Sequence, residues 1–235
     1  MKSLGIKNLK IVVYNDRSSD KDRKKILNLI QDGLTGGLIS DSGTPLISDP
    51  GFKLSTGIIN EGINLVPLPG ATSITTALIG SGLPTDRFQF LGFFPRKRVN
   101  QHLLLEKIAD YDGSSILFES PKRLISTLEK LKENLSVQAK ICVAKELTKI
   151  HESFIRGSLA DVLKHFDNNK DTLKGEFVLV IESNENYLNT ELVDFIFKQT
   201  KDKLSLKEIS YIASKVTGIS KNNLYERFLL LSKKN

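Results

Sequence analysis

The sequence predicts an α/β protein, and three observations carry that prediction. Apolar runs at 9–14, 36–40 and 63–68 alternate with helical stretches at 21–31 and 52–61, and a strand–helix–strand rhythm implies a parallel sheet. Farther on, β-prone runs at 88–94, 115–118, 140–144, 150–156 and 176–181 follow one another, several with short connections, as in a mixed sheet. From 190 to the end, apolar residues recur at helical spacing.

Each element has a local cause. Ser18, Ser19 and Asp20 can cap the helix 21–31, which sets Ile26, Leu29 and Ile30 on one face and lysines on the other. Asp32 and Gly33 end it. The run at 36–40 breaks into DSGTPLISDPG at 41–51, two turn signals in succession before a helix near Phe52. Gly62 closes that helix. Pro69 and Gly70 break the strand 63–68, and Thr72 or Ser73 can cap the helix 74–81. The segment 82–86, GLPTD, interrupts the rhythm. Past it lie a strand 88–94, the basic run Arg96, Lys97, Arg98, and an amphipathic helix 100–111 with Leu103, Leu104 and Ile108 inward. Pro121 suits the first turn of a helix running to 131. Ser158 caps a helix 159–165. A polar linker, 184–190, precedes helices at 191–200, 205–216 and 221–231. The domain plan read from this order is 1–84, an α/β domain; 85–183, a second α/β domain; and 190–235, a helical extension.

Composition narrows the class. The chain has 235 residues, enough for one large or two small domains, with 40% apolar and 26% charged residues. The single cysteine, Cys142, excludes an internal disulfide and a cysteine-based zinc cluster; it reads as a buried strand thiol. No histidine has metal-ligand spacing, so no metal is expected. The net charge of +7 favours a polyanionic partner, although lysine-rich surfaces are also simply solvated. No apolar run approaches the ~20 residues of a membrane span, and the first residues lack a signal peptide's hydrophobic core, so a cytoplasmic protein without membrane association is expected.

Loops at the carboxyl ends of parallel strands are where open α/β sheets hold ligands. Asp41, Gly43 and Thr44 occupy one such corner, and Gly70, Ala71 and Thr72 another. Read from the residues alone, both are equally well-made turns. Glu119 stands at a strand end, either as a functional carboxylate or as a group facing a helix dipole. Lys145 and Glu146 end another strand, either holding a ligand or pairing with neighbours.

The block at 41–51 resembles one in the RsmI-type small-subunit ribosomal RNA 2′-O-methyltransferases of the tetrapyrrole methylase superfamily. Further blocks follow in the family's order: VPLPGATS at 66–73, SGLPTDRF at 81–88, GFFPR at 92–96, FESPKR at 118–123, AKELTK at 144–149 and GEFVLVIE at 175–182. The resemblance implies two α/β domains of tetrapyrrole-methylase type, the first shortened, and a C-terminal helical extension. It implies transfer of a methyl group from S-adenosylmethionine to the 2′-hydroxyl of a cytidine in 16S ribosomal RNA, free or in the assembled small subunit. It implies a donor site at Asp41, Ser42, Gly43, Thr44, Gly70, Ala71 and Thr72, catalytic candidates Glu119, Lys145 and Glu146, RNA contacts at Arg96, Lys97, Arg98 and Arg123, and a homodimer. Roughly forty family residues at the front have no counterpart, a first strand among them, so neighbouring strands are expected to lose backbone partners. A family His-rich block is replaced by YNDR at 14–17. The competing expectations are a tetrapyrrole C-methyltransferase and an inactive RNA-binding remnant.

Overall fold

The computed structural model describes residues 10–41, 43–137, 139–183, 186–217, 219 and 221–233. Its contacts cluster into two compact units, Met1–Thr72 and Ser73–Asn235.

The first unit carries two helices, α1 (Asp20–Gln31) and α2 (Phe52–Asn60). Ser19 caps α1 as its sequence implies: the side chain accepts from the Asp22 N–H and donates to the Asp22 carboxylate. The helices meet closely at Gly57, where a Cβ would lie 3.4 Å from Leu27 Cδ1. The expected strands at 9–14, 36–40 and 63–68 are corrected here. Among the described residues of this unit no strand forms, and those segments run without ladder pairs. A strand is defined by a neighbour's backbone as much as by its own side chains; none of the three supplies that neighbour to another. Their apolar side chains stay exposed, Ile11 at 77%, Val13 at 89% and Leu68 at 81%.

The second unit is built on one mixed sheet of five strands: β1 (Phe88–Phe93), β2 (Ser114–Glu119), β3 (Lys140–Lys145), β4 (Ser153–Ser158) and β5 (Phe177–Glu182), in the order β1-β2-β5-β3-β4. Only β1 and β2 pair in parallel. Helix α3 (Ser73–Ser81) covers one face through Ile74, Ala77 and Leu78, against Ile116, Cys142, Ala144, Val178 and Val180. Helices α4 (Arg98–Ala109), α5 (Leu124–Asn134) and α6 (Leu159–Asn168) cover the other, against Leu117, Ile141, Val143, Leu179 and Ile181. Alternate residues of each strand serve opposite cores, the period-two rule of a sheet buried on both sides. Ser158 caps α6 by accepting from the Asp161 N–H. Burial pushes the Cys142 thiol up to about 11, so it packs as an inert apolar group.

Edge strand β4 is tied to α3 by Arg156, whose guanidinium donates to the Gly80 and Ser81 carbonyls and lies 4.9 Å from the Phe154 ring centroid. The chain closes with α7 (Asn186–Thr200), α8 (Leu206–Thr217) and α9 (Lys221–Lys233). Their core holds Val193, Phe197, Ile209, Ala213, Leu224 and Phe228, with the two phenyl rings stacked at 5.0 Å. Asn223 donates to the Asn134 carbonyl, joining this bundle to the end of α5. Among the described residues no helix is long and apolar enough to cross a membrane.

Candidate active site

Two constellations answer to the residues singled out by sequence, one in each unit. In the first unit the corners at 41–45 and 69–72 meet. Thr44 Oγ1 donates to the Ala71 carbonyl at 3.0 Å across 27 residues of chain. Gly43 has φ +73, where an L side chain is strained, and a Cβ there would lie 3.6 Å from the same carbonyl. A Cβ on Gly70 would lie 3.4 Å from Thr44 Oγ1. Gly43, Gly70 and Ala71 are exposed, and Thr72 is half-buried just before α3. Asp41 stands exposed at the head of the loop; Ser42 lies outside the described residues. Together these corners offer a carboxylate, a hydroxyl and uncovered backbone, a donor and acceptor set suited to a polar nucleoside-like ligand.

The loop after Gly43 is held from behind. Ser40 Oγ donates to Asp49 at 2.6 Å. The Asp16 carboxylate accepts from the Gly51 N–H at 3.2 Å and from the Tyr14 hydroxyl at 3.0 Å. Partial desolvation pushes Asp16 upward, but hydrogen bonds from Gly51, Tyr14 and Lys53 outweigh it and hold the carboxyl below its ordinary value. Leu46 and Ser48 both take positive φ, 75° and 62°, so this loop stores backbone strain that such anchors hold in place. Asp16 was not singled out from sequence; nothing in YNDR shows that its carboxylate reaches a loop 35 residues away.

In the second unit sheet topology gathers the other candidates. Glu119 and Lys145 both pair with Phe177, one on each side of β5. They therefore share one end and one face of the sheet, about 10 Å apart at two inter-strand spacings. Glu119 is 1% exposed at its side chain and fully engaged. It accepts from the Ser120 N–H at 2.7 Å, Thr127 Oγ1 at 2.7 Å and Arg123 Nη2 at 2.9 Å. Arg123 also donates to the Phe94 carbonyl at the end of β1.

Glu146 sits just past β3 with φ 49. Its Oε1 accepts from the Glu176 N–H at 2.8 Å and from Lys149 Nζ at 2.9 Å. The Lys149 hydrogen bond, followed by that of the Glu176 N–H, holds its carboxyl below the ordinary glutamate value. A group lowered in the folded state stabilises above its unfolded value and loses that contribution as pH falls through the folded one. The stability difference between wild type and Glu146→Gln is accordingly expected at pH 7 and should shrink as pH drops below the ordinary glutamate value, about 4.3. Urea unfolding curves at several pH values measure it; a pH-independent difference would contradict the clamp.

Of the basic run, Arg96 lies in the loop before α4, Lys97 is its N-cap and Arg98 its first residue; all three are exposed. Arg96 and Arg123 line one cavity of about 190 Å³ together with Gln101, Ser126, Thr127 and Lys130; Lys97 and Arg98 do not. Among the described residues no group of histidine, cysteine and carboxylate side chains could hold a metal ion.

Residues 10–163 match the model of the family described as Tetrapyrrole (Corrin/Porphyrin) Methylases. The chain belongs to that family and is a methyltransferase by class. Within the class its curated relatives are proteins named ribosomal RNA small subunit methyltransferase I. The one from Hydrogenobaculum sp. is 46% identical over 72% of this chain and 71% of its own. The one from Halalkalibacterium halodurans is 39% identical over 78% of this chain and 63% of its own. The chain thus spans about two thirds of the length of these relatives. Among solved structures, the methyltransferase CobJ superposes with a TM-score of 0.53 at 18% identity, over 73% of this chain and 74% of that one. That likeness concerns the fold.

Proposed function

We infer that the chain transfers the methyl group of S-adenosylmethionine to the 2′-hydroxyl of a cytidine ribose in small-subunit ribosomal RNA. The reading is supported by the relatives' shared name, and the observation that carries it is the closure of the two corners by Thr44 on Ala71. The uncovered backbone at Gly43, Gly70 and Ala71 fits the donor, with Asp41, Thr44 and Thr72 beside it and Ser42 assigned by resemblance. When bound, S-adenosylmethionine supplies a methyl already activated by its sulfonium. The protein's part is to hold the ribose hydroxyl in line and to take up its proton. Lys145 is assigned, by resemblance, as the candidate for taking up that proton. Glu119 and Glu146 are assigned as positioning residues, because their oxygens already accept from protein donors. RNA is assigned to the basic face of the second unit, with Arg96, Lys97, Arg98 and Arg123. The proposal extends to a cytoplasmic homodimer, whose association the exposed apolar segments of the first unit would favour.

Calorimetry and transfer of labelled methyl to small-subunit RNA test the reading. Thr44→Val should weaken donor binding roughly five- to tenfold, one lost hydrogen bond of about 1 kcal/mol. Gly43→Val should weaken it at least as much through strain and bulk. Wild-type transfer of label to a cytidine ribose is the expected result; donor affinity unchanged in both variants would remove the corners from the site. A second reading, an RNA-binding protein without turnover, is favoured by the lack of strand pairing among the described residues of the first unit. RNA binding with no donor binding would select it.

A further inference from the structure

The cavity beside Phe94 has a charge arrangement that the proposed reaction does not by itself require. Arg96 forms one wall; Arg123 and Lys130 form the other. Arg123, Thr127 and Lys130 fall four and then three residues apart on or just before α5, so one helical face presents both cations. Neighbouring side chains fix both walls. Gln101 Nε2 donates to the Pro95 carbonyl at 2.8 Å and so holds the turn that bears Arg96. Glu119, buried behind, fixes Arg123 at 2.9 Å. That carboxylate offsets one of the three cations. Among the described residues Arg96 and Lys130 form no ion pair. First-turn acidic residues are also absent from α5. The cavity, of about 190 Å³, has room for one tetrahedral anion beside these cations.

We propose that this cavity seats a single backbone phosphate of the RNA substrate, with Arg96 and Lys130 as its direct cations, Arg123 as the pre-set donor between them and Glu119 as the residue that positions Arg123. The proposal rests on the reading that the substrate is RNA. It gives the basic residues different roles. Arg96 serves the seat, whereas Lys97 and Arg98 add only to the surrounding field. Arg123 Nη2 is taken by the Phe94 carbonyl and Glu119, which leaves Nη1 and Nε to donate single charge-assisted hydrogen bonds to a phosphate oxygen.

The test is anisotropy titration of the full chain with a short fluorescent oligocytidylate over a series of salt concentrations. Lys130→Gln and Arg96→Gln should each weaken binding about fivefold near 0.1 M salt and lower the slope of log K against log salt by ~0.7, one phosphate contact on a single strand. Lys164→Gln, which removes the same charge from the exposed side of α6, should leave the slope unchanged. Equal losses in all three variants, or none in the first two, would overturn the seat. So would saturation of the site by micromolar inorganic phosphate, which would mark it as a free-anion site. Methyl transfer measured in parallel separates the failures. Transfer by a wild type whose RNA affinity ignores Arg96 and Lys130 ends the seat and keeps the reading. A wild type that neither binds RNA nor transfers methyl ends both.

Discussion

Arg123→Ala is expected to destabilise the second unit by about 3 kcal/mol, near the lower end of what removing one partner of a buried ion pair costs. The estimate sits at that end because Arg123 itself is 28% exposed, whereas the Glu119 side chain is 1% exposed. The arginine links three elements: it donates to Glu119 at the end of β2, to the Phe94 carbonyl at the end of β1, and stands as N-cap of α5. Without it, a buried carboxylate retains only the Ser120 N–H, the Ser120 hydroxyl and the Thr127 hydroxyl. The cause is therefore the stranded charge rather than the lost contact, and the double variant Arg123→Ala, Glu119→Gln should recover part of the loss. Urea denaturation of the four proteins in this cycle measures it. If Glu119→Gln gives no rescue, the carboxylate is not the reason Arg123 matters. RNA affinity should fall in the single and the double variant alike, since both lack the guanidinium.

The helices were legible because their causes are local. Ser19 and Ser158 cap where an oxygen three residues ahead of an N–H should. The apolar face of α4 was legible only in part: Ile108 is buried and Leu104 half-buried as expected, but Leu103 is 53% exposed and Leu105 is buried instead, because spacing does not say which neighbouring row of the helix meets the sheet. The sheet of the second unit was legible as strands but not as an order. β5 comes last in sequence yet lies between β2 and β3, and that insertion sets Glu119 and Lys145 against the same Phe177. No pattern within either strand encodes that pairing. In the first unit the failure runs the other way. The runs around Val12, Leu38 and Leu65 have strand composition, but composition does not supply a hydrogen-bonding neighbour. The meeting of the two corners was an expectation drawn from resemblance. The particular bond that makes it, Thr44 to the Ala71 carbonyl, depends on the path of 27 intervening residues.

Gly175→Ala is expected to cost about 2–4 kcal/mol, a large effect for one added methyl. Two independent causes combine there. Gly175 has φ +89, a conformation that costs an L residue roughly 1–2 kcal/mol. Its missing Cβ would also lie 2.3 Å from Glu146 Oε1 and 2.4 Å from Glu146 Cδ. That carboxylate cannot simply swing aside without loss, because it holds the Glu176 N–H and Lys149 together, and Lys149 in turn reaches Glu176 Oε2 at 3.1 Å. Displacing it loosens the segment that follows Lys145, so methyl transfer should fall more than RNA affinity. The two causes separate in a double variant. Glu146→Ala removes the clash but not the backbone strain, so Gly175→Ala should cost only about 1–2 kcal/mol when introduced into Glu146→Ala. Thermal or urea unfolding gives the comparison. An undiminished cost in that background would place the whole effect in the backbone and leave Glu146 without a packing role at this turn.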